Sequence, residues 1–415
     1  MGENAAACLR IDPARLKADI EAVNEIGRIE GLAGINRVSF SDEDMAGRRW
    51  LIGRLKTAGL AAQMDGVGNV FGRWNVGAGP AVLAGSHLDT VPMGGPFDGT
   101  LGVCAALEAV RAMKEAGLAP RRPVEIVCTA DEEGRFGGML GSQAICGEVG
   151  ADWIASAVDD DGLPLAEALR AQGLDPMADV ARDRREIAVF LELHIEQGPV
   201  LERTKDEVGV VDVVSGVFNW TVTLCGEANH SGTTPMSMRR DAFRGLAEFG
   251  AGLSEIVDRL GGEQTRLTVG KVALSPNFPH SIAGQAVFSL IGRDTDEDVM
   301  RALADACREK IARAAARHGL KVDIAQQSWL PPTALDPRVV EEIARLARAG
   351  GLKARIMASG AGHDAQTFAR HVPAGLIFVP SLGGISHAPE EWTAWPDIER
   401  GATLFARAIA ASALA

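Results

Sequence analysis

Two apolar runs, residues 81–84 and 124–129, flank a helix-period segment from about Gly102 to Ala116, and this order constrains the fold more than any other feature of the chain. Strand, helix and strand at this spacing form a βαβ unit, which needs a parallel sheet with the helix packed upon it. The first run opens into the stretch from Gly85 to Gly102, dense in Gly and Pro, which carries His87, Asp89 and Asp98. Loops at the carboxyl ends of parallel strands are where such sheets keep their chemistry. His and Asp are also ordinary loop residues and Gly94-Gly95-Pro96 is ordinary turn punctuation, so this stretch alone leaves a metal site and a plain loop equally open.

At 415 residues the chain exceeds a usual single core, so two domains are expected. Its 47% hydrophobic and 23% charged residues are those of a soluble globular protein. No apolar run approaches the roughly 18 residues of a membrane span. Residues 1–10 put Glu3 where a secretory signal is basic and hold no sustained apolar core, so a cytoplasmic protein is expected. A net charge of −13 argues against a nucleic-acid partner, which calls for a basic face. The six cysteines form no Cys-x-x-Cys pair and read as buried apolar filler, leaving nitrogen and oxygen as the donors for any metal.

Leu16, Ile20, Val23 and Ile26 recur at helical spacing over about residues 14–28, and Ser41 with Asp44 three residues on starts a second helix through about Ala58, which Gly59 ends. The run at 124–129 enters Asp131-Glu132-Glu133-Gly134-Arg135-Phe136-Gly137. Three consecutive acids in a dry site repel one another unless cations neutralise them. A solvated acidic turn is the alternative, but a shared sheet edge brings these acids toward the His87 loop. A third strand, from Val189 to Pro199, alternates Glu192, His194 and Glu196 onto one face. Burying such groups without partners costs on the order of several kcal/mol each, and a metal supplies partners; the alternative for a lone His in a strand is a hydrogen-bonded core histidine.

From about Val208 the texture changes. Strands near 208–214, 218–224, 267–274 and 286–290 alternate in polarity around two long helices, about 240–260 and 297–318. This pattern predicts an α+β open sandwich with one covered sheet face, placed at 215–329 between segments 1–214 and 330–415. Its polar loops hold His230 (226–236) and Asn277 (275–280), and Arg293 stands at a strand end; each suits either a ligand or a plain solvated turn. After a rigid linker, Trp329-Leu330-Pro331-Pro332, the βα texture resumes with a helix at 337–349, a strand at 375–379, a Gly-rich loop bearing His387 and a closing helix at about 396–411. The expected fold is α/β: a mixed, mostly parallel sheet flanked by helices, with the α+β sandwich inserted.

Polar clusters at four strand ends supply His87, Asp98, Glu133, His194 and His387. Their common placement is the signal, since each alone is weak. Histidines with carboxylates suit Zn²⁺ or Mn²⁺, with Co²⁺ a third ion to test, and a carboxylate shared by two ions about 3.5–4 Å apart is usual in two-metal hydrolases. Asp98, in a flexible Phe-Asp-Gly context, is the natural bridge, and Asp89 is placed to orient the His87 imidazole. Glu132 beside Glu133 can act as general base for an attacking water, and such ions acidify water toward a pKa of roughly 7 while polarising a carbonyl. The implied reaction is hydrolysis of an amide-like bond.

The assembled motifs are Gly-Ser-His-Leu-Asp-Thr-Val at 85–91, Phe-Asp-Gly at 97–99, Glu-Glu-Gly-Arg-Phe at 132–136 and Glu-Leu-His-Ile-Glu-Gln-Gly-Pro-Val-Leu-Glu at 192–202. His-Ser-Gly-Thr-Thr-Pro-Met at 230–236, Ser-Gly-Ala-Gly-His-Asp-Ala at 359–365 and Ile-Ser-His-Ala-Pro-Glu-Glu at 385–391 complete them. Across nearly its whole length the chain resembles the binuclear-metal amidohydrolases that include N-carbamoyl-L-amino-acid hydrolase, allantoate amidohydrolase and β-ureidopropionase, relatives of aminoacylases and carboxypeptidases. The resemblance implies the same five ligands, with Glu132 as base. It also implies a homodimer formed through the inserted domain, His230 reaching a neighbour's active site to stabilise the oxyanion, and substrate contacts from Gln197, Asn277 and Arg293. The Arg293 guanidinium fork suits a substrate carboxylate.

Two departures touch the substrate pocket: Ile291-Gly292-Arg293 replaces an Asp-aliphatic-Arg pattern, loosening the strand before the Arg, and Gly134-Arg135 lacks an intervening Ser. The expected activity is hydrolysis of an N-carbamoyl amino acid or related ureido acid. The alternatives are an amidase acting on another acyl or aromatic amide, and a metal-stabilised binding protein without turnover.

Overall fold

The computed structural model describes residues 6–29, 31 and 34–415, so the first five residues of the N-terminal stretch read above lie outside it. The chain forms two compact units, one of Met1–Asp212, Ala334–Met357 and Gly362–Ala415, the other of Val213–Thr333 with Ala358–Ala361. Its strands are β1 (Ala61–Met64), β2 (Val70–Trp74), β3 (Ala81–His87), β4 (Val124–Thr129), β5 (Ile187–Ile195), β6 (Val208–Val214), β7 (Gly216–Cys225), β8 (Arg266–Thr268), β9 (Val272–Ser275), β10 (Gln285–Asp294), β11 (Lys321–Leu330), β12 (Thr333–Ala334), β13 (Ala354–Ser359) and β14 (Ala374–Val379). No helix among the described residues is long and apolar enough to cross a membrane.

The first unit is built on a nine-stranded sheet in the order β1-β2-β4-β3-β5-β14-β6-β12, with β13 paired to β6. Its centre is parallel: β3 pairs with β4 and β5, and β5 with β14. Every residue of β3, β4 and β14 is buried, as continuous apolar runs in a covered parallel sheet should be. Antiparallel strands flank this centre, β1 on β2, β2 on β4 and β6 on β14. The helices Thr100–Glu115 and Trp395–Leu414 pack on each other and on β3 and β5. Asp364–Ala369 packs on β5 and β14, with Phe368 stacked on Phe190 at 4.1 Å between ring centroids. Ser41 caps the helix Asp42–Thr57 as expected, its Oγ accepting the Asp44 amide at 3.1 Å.

Several expectations are corrected here. Residues 208–214, whose texture reads with the strands that follow, lie within the expected segment 1–214 and join the first sheet as β6, where Val208, Val210 and Val211 are buried. Trp329 and Leu330, expected in a linker, end β11 instead and pair with Phe218 and Val217. The hairpin β1–β2 and strand β13 were not anticipated; β1 is short and only half-buried along one face, so its apolar signal is weak.

In the second unit β11-β7-β10-β8 form an antiparallel sheet with β9 also on β10. Alternate residues of β7 and β10 are buried, and the helices Glu297–Arg317 and Ala242–Gly250 cover that face around Phe218, Trp220, Phe249 and Phe288. The expected single helix of 240–260 is two, Ala242–Gly250 and Leu253–Leu260, interrupted at Ala251-Gly252. Gly292 lies opposite Phe218 in the β10–β7 ladder, and a Cβ on it would stand 2.2 Å from the Phe218 ring. The departure from the expected pattern is thus a packing requirement, since a large ring fills the place of a side chain.

Candidate metal centre and active site

The carboxyl ends of β3, β4, β5 and β14 deliver the expected residues to one place. His87 is the last residue of β3, His194 lies near the end of β5, and Glu132 and Glu133 follow β4. His87 Nε2 is 3.5 Å from Asp98 Oδ1, and His194 Nε2 is 3.1 Å from the same oxygen. The other oxygen, Oδ2, lies 3.4 Å from His387 Nε2, which is itself 3.3 Å from Glu133 Oε2. Two donor groups therefore share Asp98: His87, Asp98 and His194, all buried, and Asp98, Glu133 and His387, in which the His387 side chain is 49% exposed. Glu132 Oε2 stands 3.6 Å from His87 Nε2, beside the buried group.

Imidazole direction is set by backbone carbonyls. His87 Nδ1 lies 3.0 Å from the Asp89 carbonyl oxygen and His194 Nδ1 2.9 Å from that of Ile195, so each ring donates from Nδ1 and turns Nε2 toward Asp98. The Asp89 carboxylate, expected to orient His87, stands 3.9 Å from Nδ1 and instead accepts Ser39 Oγ at 2.9 Å and the Glu133 amide at 3.1 Å. Beneath it lies Arg48, fully buried, whose guanidinium meets Asp44 at 3.0 Å and Asp89 at 3.5 Å. Glu192 is hydrogen-bonded by Ser86 Oγ and the Ala365 amide, and His194 packs edge-on to His363 with ring centroids 4.6 Å apart.

The carboxylates crowd each other. Burial pushes Glu132 well above the usual carboxylate range despite the facing His87, and burial with the Asp98 charge pushes Glu133 up to about 7. Burial opposes ionisation of Asp98 as well, but His194, His387 and His87 hold it well below that range. For His87 burial favours the neutral form, yet Glu132, Asp98 and Asp89 outweigh it and hold the pKa well above 6.5. The hydrogen bond to Asp98 raises His387 to about 9.

This donor set fits divalent ions. Three carboxylate and histidine groups converge on each of two points, and Glu133 Oε1 is buried without a hydrogen-bond partner among the described residues, a costly state that a cation relieves. His387 and Gln197 also hold left-handed backbone conformations, φ 55° and 56°, which non-glycine residues adopt at a cost of roughly 1–3 kcal/mol and which concentrate at functional sites. Gln197 Nε2 donates to Asp98 Oδ2 at 2.7 Å, so the residue expected to meet substrate also holds the shared carboxylate.

His230, Asn277 and Arg293 belong to the second unit. His230 is exposed, and its Nδ1 accepts the amides of Gly232 and Thr233 at 3.0 and 3.2 Å, which leaves Nε2 as the donor in the neutral ring. Asn277 is exposed, with φ 53°. The half-buried Arg293 donates to the Gly360 carbonyl at 3.0 Å and has no carboxylate partner among the described residues. Burial lowers its pKa from the usual guanidinium value.

Sequence reasoning did not single out Ser39, Arg48, Ser386 or Glu391. Ser386 and Glu391 sit within the quoted motif around His387, whereas nothing local marks Ser39 or Arg48.

Residues 83–411 match the family model for the peptidase family M20/M25/M40. The chain belongs to this family, in its hydantoinase/carbamoylase branch. It is 38% identical to an N-carbamoyl-L-amino-acid amidohydrolase of Paenarthrobacter aurescens over 91% of this chain and 93% of that one. It is 37% identical to an allantoate amidohydrolase of Escherichia coli (strain K12), over 89% and 90%. A crystal structure of a hydantoinase/carbamoylase family amidase from Burkholderia multivorans superposes with a TM-score of 0.89 at 34% identity, covering 98% of this chain and 99% of that one. As a hydantoinase/carbamoylase family member the chain is a metal-dependent amidohydrolase, acting on a ureido or amide C–N bond.

Proposed function

We propose that the chain hydrolyses the carbamoyl C–N bond of an N-carbamoyl-L-amino acid, or of a related ureido acid such as allantoate, releasing ammonia and carbon dioxide. The observation that carries this reading is the division of Asp98, whose two oxygens face separate donor groups with Glu132 adjoining them. The names of the two relatives support a ureido substrate.

In this proposal His87 and His194 hold one divalent ion and Glu133 and His387 the other, with Asp98 between them. Zn²⁺, Mn²⁺ or Co²⁺ suits the donors, and when bound the ions acidify water and polarise the substrate carbonyl. Glu132 takes a proton from the attacking water and returns it to the leaving nitrogen, a role that its place beside the buried donor group, 3.6 Å from His87 Nε2, supports. The half-exposed His387 side leaves an approach for substrate. Arg293, without an anionic partner among the described residues, takes the substrate carboxylate, with Gln197 and Asn277 as further contacts. Residues 215–329 act as a dimerisation domain of a homodimer, 1–214 and 330–415 as the catalytic domain, and the outward Nε2 donor of His230 stabilises the oxyanion in the other subunit's site.

A second reading, an amidase acting on another N-acyl amide, is favoured by one observation. The cleft beside Glu133, of about 590 Å³, is lined by Val38, Val91 and Pro92 as well as by Arg135 and Asp159–Asp161, and its apolar part suits an acyl group. Turnover of N-carbamoyl amino acids, allantoate and N-acyl amino acids with each of the three ions separates the two. Ammonia release from a ureido acid is the expected result, and no activity on any ureido acid rejects the first reading.

A further inference from the structure

Glu391 has no place in the chemistry described so far, yet it is 1% exposed and bonded at both oxygens. Its Oε1 accepts the amide of Phe97 at 2.9 Å and that of Asp98 at 3.1 Å. Its Oε2 accepts Ser386 Oγ at 2.9 Å, and the same hydroxyl lies 3.0 Å from Asp98 Oδ2. One carboxylate thus holds the Asp98 backbone directly and reaches the Asp98 side chain through Ser386, the residue before His387. Gly95 is shaped to admit it: a Cβ there would stand 2.3 Å from Glu391 Cβ and 2.4 Å from its carboxylate oxygen. The Phe97 ring is wedged against Trp392, the neighbour of Glu391, with centroids 5.3 Å apart, which fixes the two loops together.

We propose that Glu391 is a positioning residue for the metal centre: by joining the 95–99 loop to the 386–391 loop it sets the direction of Asp98 Oδ2 toward Glu133 and His387. It touches neither substrate nor ion. A hydroxyl carries one proton, and Ser386 stands between two carboxylates, so an ion at Asp98 Oδ2 frees that proton for Glu391 and the loaded arrangement is the better satisfied one. Partners that orient ligating carboxylates in this way are worth 10–100-fold in metal affinity. The inference rests on the two-ion reading of the site.

The test is Mn²⁺ binding to metal-stripped full-length protein, measured by equilibrium dialysis with metal analysis, with far-UV circular dichroism confirming the fold. Wild type is expected to bind two ions per chain. Glu391→Ala is expected to weaken one ion, that of the Glu133 and His387 group, by about 10–100-fold while holding the other within a few-fold. Glu391→Gln, which keeps an oxygen for the two amides but turns the Ser386 proton onto Asp98 Oδ2, is expected to weaken the same ion less than Glu391→Ala does. Activity of Glu391→Ala should recover with excess Mn²⁺ at unchanged KM. If Glu391→Ala does not fold, Ser386→Ala decides, with about tenfold weakening of the same ion expected. Two ions bound with wild-type affinity in the folded Glu391→Ala protein, or in Ser386→Ala where that variant decides, overturn the proposal. A wild-type protein that binds no Mn²⁺ overturns the two-ion reading itself, and this inference with it.

Discussion

His87 and Asp89 meet through the backbone: the imidazole Nδ1 lies 3.0 Å from the Asp89 carbonyl oxygen, whereas the carboxylate stands 3.9 Å away and holds the Glu133 amide instead. The Asp89 side chain therefore fixes the acidic loop more than it fixes His87. Asp89→Ala should weaken the ion proposed at Glu133 and His387 by about 10–100-fold and leave the one proposed at His87 and His194 nearly unchanged. Site-resolved Mn²⁺ titration checks this; preferential loss at His87 would return to Asp89 the orienting role expected from its spacing.

Glu132 adjoins the buried donor group without being one of its members. Glu132→Gln preserves shape and removes the proton acceptor, so kcat should fall by about 10²–10⁴ while metal content stays at the wild-type value. Steady-state kinetics paired with metal analysis makes the measurement, and full activity with metal bound would contradict the assignment.

Protons and ions compete for the same nitrogens. In the metal-free protein the hydrogen bond to Asp98 raises His387 to about 9, and nearby carboxylates hold His87 well above 6.5 although burial opposes this. A ligating nitrogen must be unprotonated, so Mn²⁺ uptake at neutral pH should release protons, and apparent affinity should rise as pH climbs toward about 9. Indicator-dye titration in weak buffer reads the release directly; binding without released protons would contradict it.

The sequence and the structure agree where chemistry and strand ends coincide. His87, Asp98, Glu133, His194 and His387 were legible because each closes or follows an apolar run, and a parallel sheet gathers such ends on one edge. The Ser41 cap was legible because a capping signal is local. Glu391 was not, because its partners Phe97 and Asp98 lie almost three hundred positions earlier and only folding brings them together. The partner of β6 was not legible for a similar reason, since a buried face does not name the sheet that buries it. Gly292 read as a loosened strand until Phe218 appeared across the ladder.

Arg48 is the buried counter-ion beneath the acidic loop, paired with Asp44 and Asp89. Arg48→Met leaves two buried carboxylates uncompensated and should cost about 3–5 kcal/mol of stability. Denaturant unfolding of the metal-free protein checks this, and a loss under about 1 kcal/mol would show that Arg48 does not carry that charge.

Ammonia release from an N-carbamoyl-L-amino acid, followed as Mn²⁺ is added back to metal-stripped protein, tests the central claim most directly. Two ions sharing Asp98 predict no release without metal and a rate that climbs to a plateau at two equivalents per chain. Release that persists in the metal-free protein, or none at any Mn²⁺ concentration, would contradict it.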